Sequence, residues 1–177
     1  MPEKNILSEF NFFSDLTQQE LDLLATKCEE LEFNADDIVF HYEKPAEHFY
    51  GLIDGEVELS LFFTDKVLKT QVEYEEAVHA QIVDQEKQIV VDTVLPGQVF
   101  GWTAIIGVSR RTVTARCTES SRIFAIPTSD LNALLDADHS LGYRLMRRMA
   151  EIVSKRLKNR TDRLIETWVE AFDVDEI

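Results

Sequence analysis

Phe100-Gly101-Trp102-Thr103-Ala104-Ile105-Ile106-Gly107-Val108-Ser109-Arg110-Arg111-Thr112-Val113-Thr114-Ala115 is the segment on which the reading of this 177-residue chain turns. Gly101 allows a close backbone approach, and a short helical turn starting there directs unpaired N–H groups toward an anion. Ten residues later Arg111 can bring a planar guanidinium back to the same point, and Thr112 can add a hydroxyl or an amide. Gly101, Trp102, Thr103, Ala104, Arg111 and Thr112 are therefore the candidate ligand-binding residues, arranged as a phosphate site.

The flanks of this segment read as β structure, with short apolar runs punctuated by turn residues. Strands are expected at Ile38 to His41, Phe49 to Asp54, Glu56 to Phe62, Gln88 to Val94, Thr112 to Cys117 and Ser121 to Ile126. Leu95-Pro96-Gly97 supplies a turn before Val99-Phe100, and Asp54-Gly55 reads as a tight hairpin dipeptide. Residues 63–87 mix helix-compatible Glu, Gln and Ala with partly alternating Val72, Tyr74, Val78, Ala80 and Ile82. An inserted helix and a lengthened hairpin both remain open there, with strand-like flanks favouring the hairpin.

Helices bracket the β region. Thr17 and Glu20 form a capping box, with Leu16 and Leu21 placed as a hydrophobic staple. Leu21, Leu24, Cys28 and Leu31 follow at helical spacing, which puts Cys28 on a buried helix face. Thr128 to Asp136 fits a short helix capped by Thr128 or Ser129, and a long helix is expected from about Asp138. Its apolar stripe runs through Leu141, Leu145, Met149, Ile152, Val153 and Leu157 and resumes at Leu164, Ile165 and Trp168. Leu145, Met149, Val153, Leu157, Leu164 and Trp168 are the candidate dimer residues, because the far end of the stripe needs a second subunit or a fold-back to cover it.

Composition narrows the function. A chain of 177 residues with 45 % hydrophobic content reads as one domain, with an N-terminal helix and β-roll over residues 8–126 and C-terminal helices over 128–170. No apolar run approaches the roughly 20 residues a membrane span requires. Met1-Pro2-Glu3-Lys4-Asn5 carries no secretory pattern, so a cytoplasmic protein without membrane contact is expected. The two cysteines, Cys28 and Cys117, have no metal-ligand spacing and read as buried thiols. A formal charge of −15 repels nucleic-acid backbones, which argues against DNA or RNA as partners. Between Tyr143 and Arg163, however, eight basic residues stand against Glu151 and Asp162. That strip reads either as a solvated face offsetting the acidic body or as an anion- or partner-binding surface.

Taken together, Tyr50-Gly51-Leu52-Ile53-Asp54-Gly55-Glu56-Val57-Glu58-Leu59, Leu95-Pro96-Gly97-Gln98-Val99-Phe100-Gly101 and Arg111-Thr112-Val113-Thr114 resemble, in order and spacing, the cyclic-nucleotide-binding domain superfamily. That superfamily includes catabolite-activator-type effector domains and the regulatory subunits of cyclic-nucleotide-dependent kinases. The resemblance covers roughly residues 8–158 and is to a stand-alone bacterial member without a DNA-binding domain. It implies a mainly β fold, a cyclic-nucleotide-binding-like β-roll of jelly-roll type with flanking helices and a long C-terminal helix. It also places the phosphate cassette on Gly101 to Thr112. In members that bind cyclic AMP or cyclic GMP, a glutamate after the cassette glycine holds the ribose 2′-hydroxyl, and here that residue is Trp102. An indole cannot accept that bond, so a charge-assisted contact worth about 1.5 to 3 kcal/mol is lost and nucleotide binding is weakened. The ligand is left open between cyclic AMP or cyclic GMP, another small anion, and none.

The expected function is a non-enzymatic regulatory ligand-binding module, homodimeric and signalling through another protein. About 20 residues follow Leu157, too few for a helix-turn-helix output module. The alternative is a ligand-free dimeric adaptor with a degenerate nucleotide pocket. A metal-dependent barrel enzyme built on His41, Glu43 and His48 lacks the His-x-His pair such barrels use. A haem sensor using His79 or Cys117 has no convincing axial pair, and His139 reads as a capping or surface residue.

Overall fold

The computed structural model describes residues 6–73, 77–107 and 109–172, with the backbone alone described for residues 65–73, 77–84, 171 and 172. Two 3-10 turns, Ile6–Glu9 and Asn11–Phe13, lead into α1 (Gln18–Ala25). Eight strands follow: β1 (Glu29–Phe33), β2 (Ile38–Phe40), β3 (His48–Asp54), β4 (Val57–Glu73), β5 (Ala77–Val94), β6 (Val99–Phe100), β7 (Thr114–Cys117) and β8 (Ser121–Pro127). α2 (Thr128–Ala137) and α3 (His139–Phe172) close the chain. The strands form two four-stranded antiparallel sheets, ordered β1-β8-β3-β6 and β2-β7-β4-β5. This is the expected β-roll with flanking helices.

Strand periodicity divides the core in two. Successive side chains of β3 and β8 point to opposite faces of their sheet. Phe49, Phe124 and Ile126 enter a cluster with Leu7, Phe10, Phe13, Leu24, Leu131, Leu141, Leu145 and Met149. Tyr50, Leu52, Ile123 and Ala125 enter a second cluster between the sheets, with Phe40, Val57, Leu59, Phe100 and Cys117. The first sheet is thus buried on both faces, with the helical termini covering the side turned away from the second sheet. At about 1.5 to 3 kcal/mol per fully buried large apolar side chain, Leu141, Leu145 and Met149 anchor the first half of α3 to the roll.

The N-terminal helix starts as read. Thr17 N–H donates to the Glu20 carboxylate at 2.7 Å, Glu20 N–H donates to the Thr17 hydroxyl at 3.4 Å, and Leu16 and Leu21 pack in the first cluster. The helix ends sooner than its apolar spacing suggests. Cys28 lies beyond it in a turn, buried with its thiol donating to the Leu24 carbonyl, and Leu31 belongs to β1, a strand the helical spacing concealed. Burial pushes the Cys28 thiol up to about 12 and raises that of Cys117 as well.

Two further expectations change. Asp54-Gly55 does not close a hairpin, because β3 pairs with β6 and β8 whereas β4 pairs with β5 and β7. Gly55 instead turns the chain from one sheet to the other at φ +94°, where a Cβ would lie 2.7 Å from the Ser120 carbonyl oxygen. Neither Thr128 nor Ser129 caps α2. Pro127 precedes it, and the Thr128 hydroxyl donates to the Ala46 carbonyl. For α3 the cap is Asp138, whose carboxylate accepts from the amides of Ser140 and Leu141; His139 is exposed.

Residues 63–73 and 77–87 continue β4 and β5 as a paired extension, without interruption from Ser60↔Val90 to Glu73↔Ala77. Tyr74 lies outside the described residues, as do the N-terminal Met1 to Asn5, Val108 of the cassette and the acidic end from Asp173. The side chains of Val72, Val78, His79, Ala80 and Ile82 are likewise outside them. No helix among the described residues is long and apolar enough to cross a membrane.

Candidate functional site

The cassette glycine is shaped by its neighbours. Gly101 sits at φ +70°, and a Cβ there would lie 2.8 Å from an Arg111 terminal nitrogen and 2.9 Å from the Tyr50 ring. A 3-10 turn, Trp102–Ala104, starts from it, as the sequence suggests. One expected donor is already occupied, since the Ala104 amide donates to the Gly101 carbonyl at 3.2 Å. Thr103 and Ala104 are buried, Trp102 is half-buried, and Thr112 is exposed.

Arg111 does return to Gly101, but in a different role from the expected one. It is 2 % exposed. One terminal nitrogen donates to the Gly101 carbonyl at 2.9 Å and the other to the His48 carbonyl at 2.6 Å. The guanidinium lies 4.2 Å from the centre of the Phe40 ring and 5.4 Å from that of Tyr50. Phe40, Tyr50 and Phe100 stack with centroids 5.3 to 6.1 Å apart, forming an aromatic floor under the charge. Such a desolvated cation–π contact contributes about 2 kcal/mol. Burial pulls the Arg111 guanidinium below its ordinary pKa, while Tyr50 and Glu47 act in the opposite direction. Burial likewise raises the Tyr50 phenol, against the effect of Arg111.

Two polar atoms here are left over. The Nε of Arg111 and the hydroxyl of Thr103 are both buried with no hydrogen-bond partner among the described residues. Both residues line one cavity of about 90 Å³, together with Phe40, Trp102, Thr112 and Arg160. An unsatisfied buried polar atom costs about 1 to 3 kcal/mol, and here both such atoms belong to residues that line one cavity.

Sequence reasoning missed Phe40 and Tyr50, which read only as strand residues, and the carbonyl of His48, which no side-chain pattern reveals. Arg160 was visible only as one of the basic strip. Part of that strip ties α3 to the acidic body: Arg144 pairs with Glu20, Arg148 with Asp15, and Arg156 with Asp92. Arg156 also donates to the Val99 carbonyl at 3.0 Å, directly before the cassette. A larger groove of about 410 Å³ lies beside it, lined by Asn11, Asp92, Gln98, Lys155, Arg156 and Arg163.

The expected dimer stripe divides. Leu145 and Met149 are buried in the chain's own core and Val153 packs against it, whereas Leu157, Leu164 and Trp168 are 58 to 65 % exposed. A second subunit could therefore meet the stripe only from Leu157 onward. Among the described residues no three His, Cys, Asp or Glu side chains cluster as metal ligands; the backbone of His48 serves Arg111, and Glu43 sits in a turn at φ +61°.

Comparison with known proteins gives one family. The family described as "Cyclic nucleotide-binding domain" matches residues 30–138, more than half of the chain. Among solved structures, a Geobacter metallireducens GS-15 protein named for cyclic-nucleotide binding is 25 % identical, with 89 % of this chain and 99 % of that one covered and a TM-score of 0.67. A cyclic nucleotide-binding domain from Methylobacillus flagellatus KT is 15 % identical, with coverage of 92 % and 80 % and a TM-score of 0.66. The regulatory domain of Toxoplasma gondii PKA, crystallised with cAMP, is 18 % identical, with coverage of 73 % and 42 % and a TM-score of 0.52. No curated protein sequence matches the chain.

Proposed function

This chain belongs to the cyclic-nucleotide-binding domain family, and from that premise we propose that it is a regulatory ligand-binding module, not an enzyme. The anionic group of a small ligand docks at Gly101 to Thr103 and Arg111, and α3 carries the response. The observation that supports this reading is the pair of unpartnered buried atoms, Arg111 Nε and Thr103 Oγ1, on two residues that line a single cavity. An anion entering there supplies an acceptor to both. The module acts in the cytoplasm as a homodimer, joined along the distal part of α3, and passes its state to a protein partner.

Cyclic AMP and cyclic GMP are the first ligands to test because the family is named for them. Trp102 puts an indole beside the cassette with no carboxylate to accept from a ribose hydroxyl, so either nucleotide binds at least about tenfold more weakly than with that charge-assisted contact in place. The test is calorimetric titration with cyclic AMP, cyclic GMP and inorganic phosphate, alongside Arg111→Ala and the charge-retaining Arg111→Lys. Saturable binding of any of the three that is lost in the alanine variant and reduced in the lysine variant supports the reading. If the folded protein binds none of them, the ligand-free adaptor takes its place, a reading favoured by the exposed stripe on α3.

A further inference from the structure

Of the eight basic residues between Tyr143 and Arg163, six have acidic partners: Arg144, Arg147, Arg148, Arg156, Lys158 and Arg160. Lys155 and Arg163 are exposed and have none among the described residues. Acids outnumber bases by 33 to 18 in this chain, so composition favours pairing every cation. The two that stay unpaired line the same feature, the groove of about 410 Å³ on the side of α3 that meets the N-terminal turns.

Ile152, Lys155, Asn159 and Arg163 recur every three or four residues and share one face of α3. The groove continues into a smaller cavity of about 190 Å³, which shares Asn11, Phe12, Ile152 and Lys155 with it and reaches Arg148. From Arg148 to Arg163 the helix rises about 22 Å, the span of about seven residues of extended chain at about 3.3 Å each. A compact ligand fills only part of that length. Leu95, 48 % exposed, gives the facing wall an apolar surface, and the exposed amides of Asn11 and Asn159 suit the N–H and C=O groups of a peptide. The carboxylates along the groove are spent, Asp92 on Arg156 at 3.3 Å and Glu151 on Arg148 at 2.9 Å. The charge left free there is that of Lys155 and Arg163.

We propose that this groove docks an extended acidic segment of a partner protein, with carboxylates toward Lys155 and Arg163 and the alternate, apolar side chains toward Leu95. Lys155 and Arg163 stand about 12 Å apart along the helix. In an extended chain, carboxylates four residues apart lie on one side at about 13 Å, which matches both cations. A neutral or basic segment leaves the cations unpaired, so charge selects the partner and speeds its encounter more than it adds affinity. The inference goes beyond the cassette: it needs no ligand at Gly101 or Arg111, and it supplies a surface for the protein partner named above, so each reading fails without the other.

The probe is a fluorescein-labelled heptapeptide of alternating aspartate and leucine, whose fluorescence anisotropy is followed with the full-length chain. Lysine–leucine and serine–leucine heptapeptides are the controls, and circular dichroism checks the fold of each variant. The expected result is saturation with the aspartate peptide alone and an affinity that falls with added salt. Lys155→Gln with Arg163→Gln is expected to weaken binding at least about tenfold, and Leu95→Ser to weaken it as well. Arg147→Gln with Lys158→Gln removes the same charge outside the groove and is expected to leave binding unchanged. Equal losses in the two double variants, equal binding of the three peptides, or no saturation overturns the proposal. So do two results that give the groove another occupant. One is about tenfold tighter peptide binding by a chain lacking residues 173–177, which makes its own acidic end the occupant. The other is a change in sedimentation caused by Lys155→Gln with Arg163→Gln, which makes it a second copy.

Discussion

At the residue scale, Arg111 and Gly101 fit each other. Two of the guanidinium's nitrogens are held by backbone carbonyls and its face by aromatic rings, so the charge is retained in a buried place at the cost of one unpaired N–H. Gly101 makes this possible because it has no Cβ to meet the Arg111 nitrogen at 2.8 Å and the Tyr50 ring at 2.9 Å. Gly101→Ala combines that crowding with a left-handed backbone at φ +70°. It is expected to destabilise the protein by about 1 to 3 kcal/mol, read as a lower midpoint in urea denaturation. A midpoint equal to that of the unmodified chain would mean that Arg111 does not hold this position in solution.

At the scale of the element, α1 depends on its first turn and on α3. The Glu20 carboxylate is pushed up by partial burial, but bonds from the Thr17 amide and hydroxyl and the nearby Arg144 of α3 outweigh this and hold it below its ordinary value of 4.5. A carboxylate whose folded value is depressed stabilises the native state above its unfolded value, and that stability is lost as pH falls through the folded value. Glu20→Gln is therefore expected to be less stable than the unmodified chain near about pH 7, with the difference closing below about pH 4. Thr17→Ala removes the cap together with the hydroxyl's bond to the Glu20 carboxylate and lowers stability by about 1 kcal/mol. Denaturation at both pH values measures these effects, and a Glu20→Gln difference independent of pH would remove the ion pair with Arg144 from the account.

At the scale of the whole molecule, the distal half of α3 carries a run of exposed large apolar side chains. Leu157, Leu164 and Trp168 are spaced by seven and four residues, the rhythm of a helix seam. Joined along that seam, two copies would cover side chains that are each more than half exposed. Sedimentation is expected to show a dimer, with Leu164→Ala and Trp168→Ala together raising its dissociation constant at least about tenfold. A dimer unaffected by both substitutions would move the contact elsewhere.

The fold was legible in the sequence because local chemistry carries it. Capping residues, turn glycines and alternating apolar positions specify elements over a few residues, and the order Tyr50 to Leu59, Leu95 to Gly101, Arg111 to Thr114 specifies the roll. What failed locally failed for a tertiary reason: helical spacing at Cys28 and Leu31 was overridden by pairing of β1 with β8, and Asp54-Gly55 joins two sheets instead of two neighbouring strands. The cassette residues could be named from the sequence, but not what they touch. Whether Arg111 faces a ligand or the His48 carbonyl, and whether Arg160 reaches Gly101 or Asp92, depends on groups 10 to 68 positions apart that only the closed roll brings within a few ångströms. Sequence spacing fixes neighbours along the chain, whereas burial and hydrogen-bond partners are set by chain crossings that no single stretch contains.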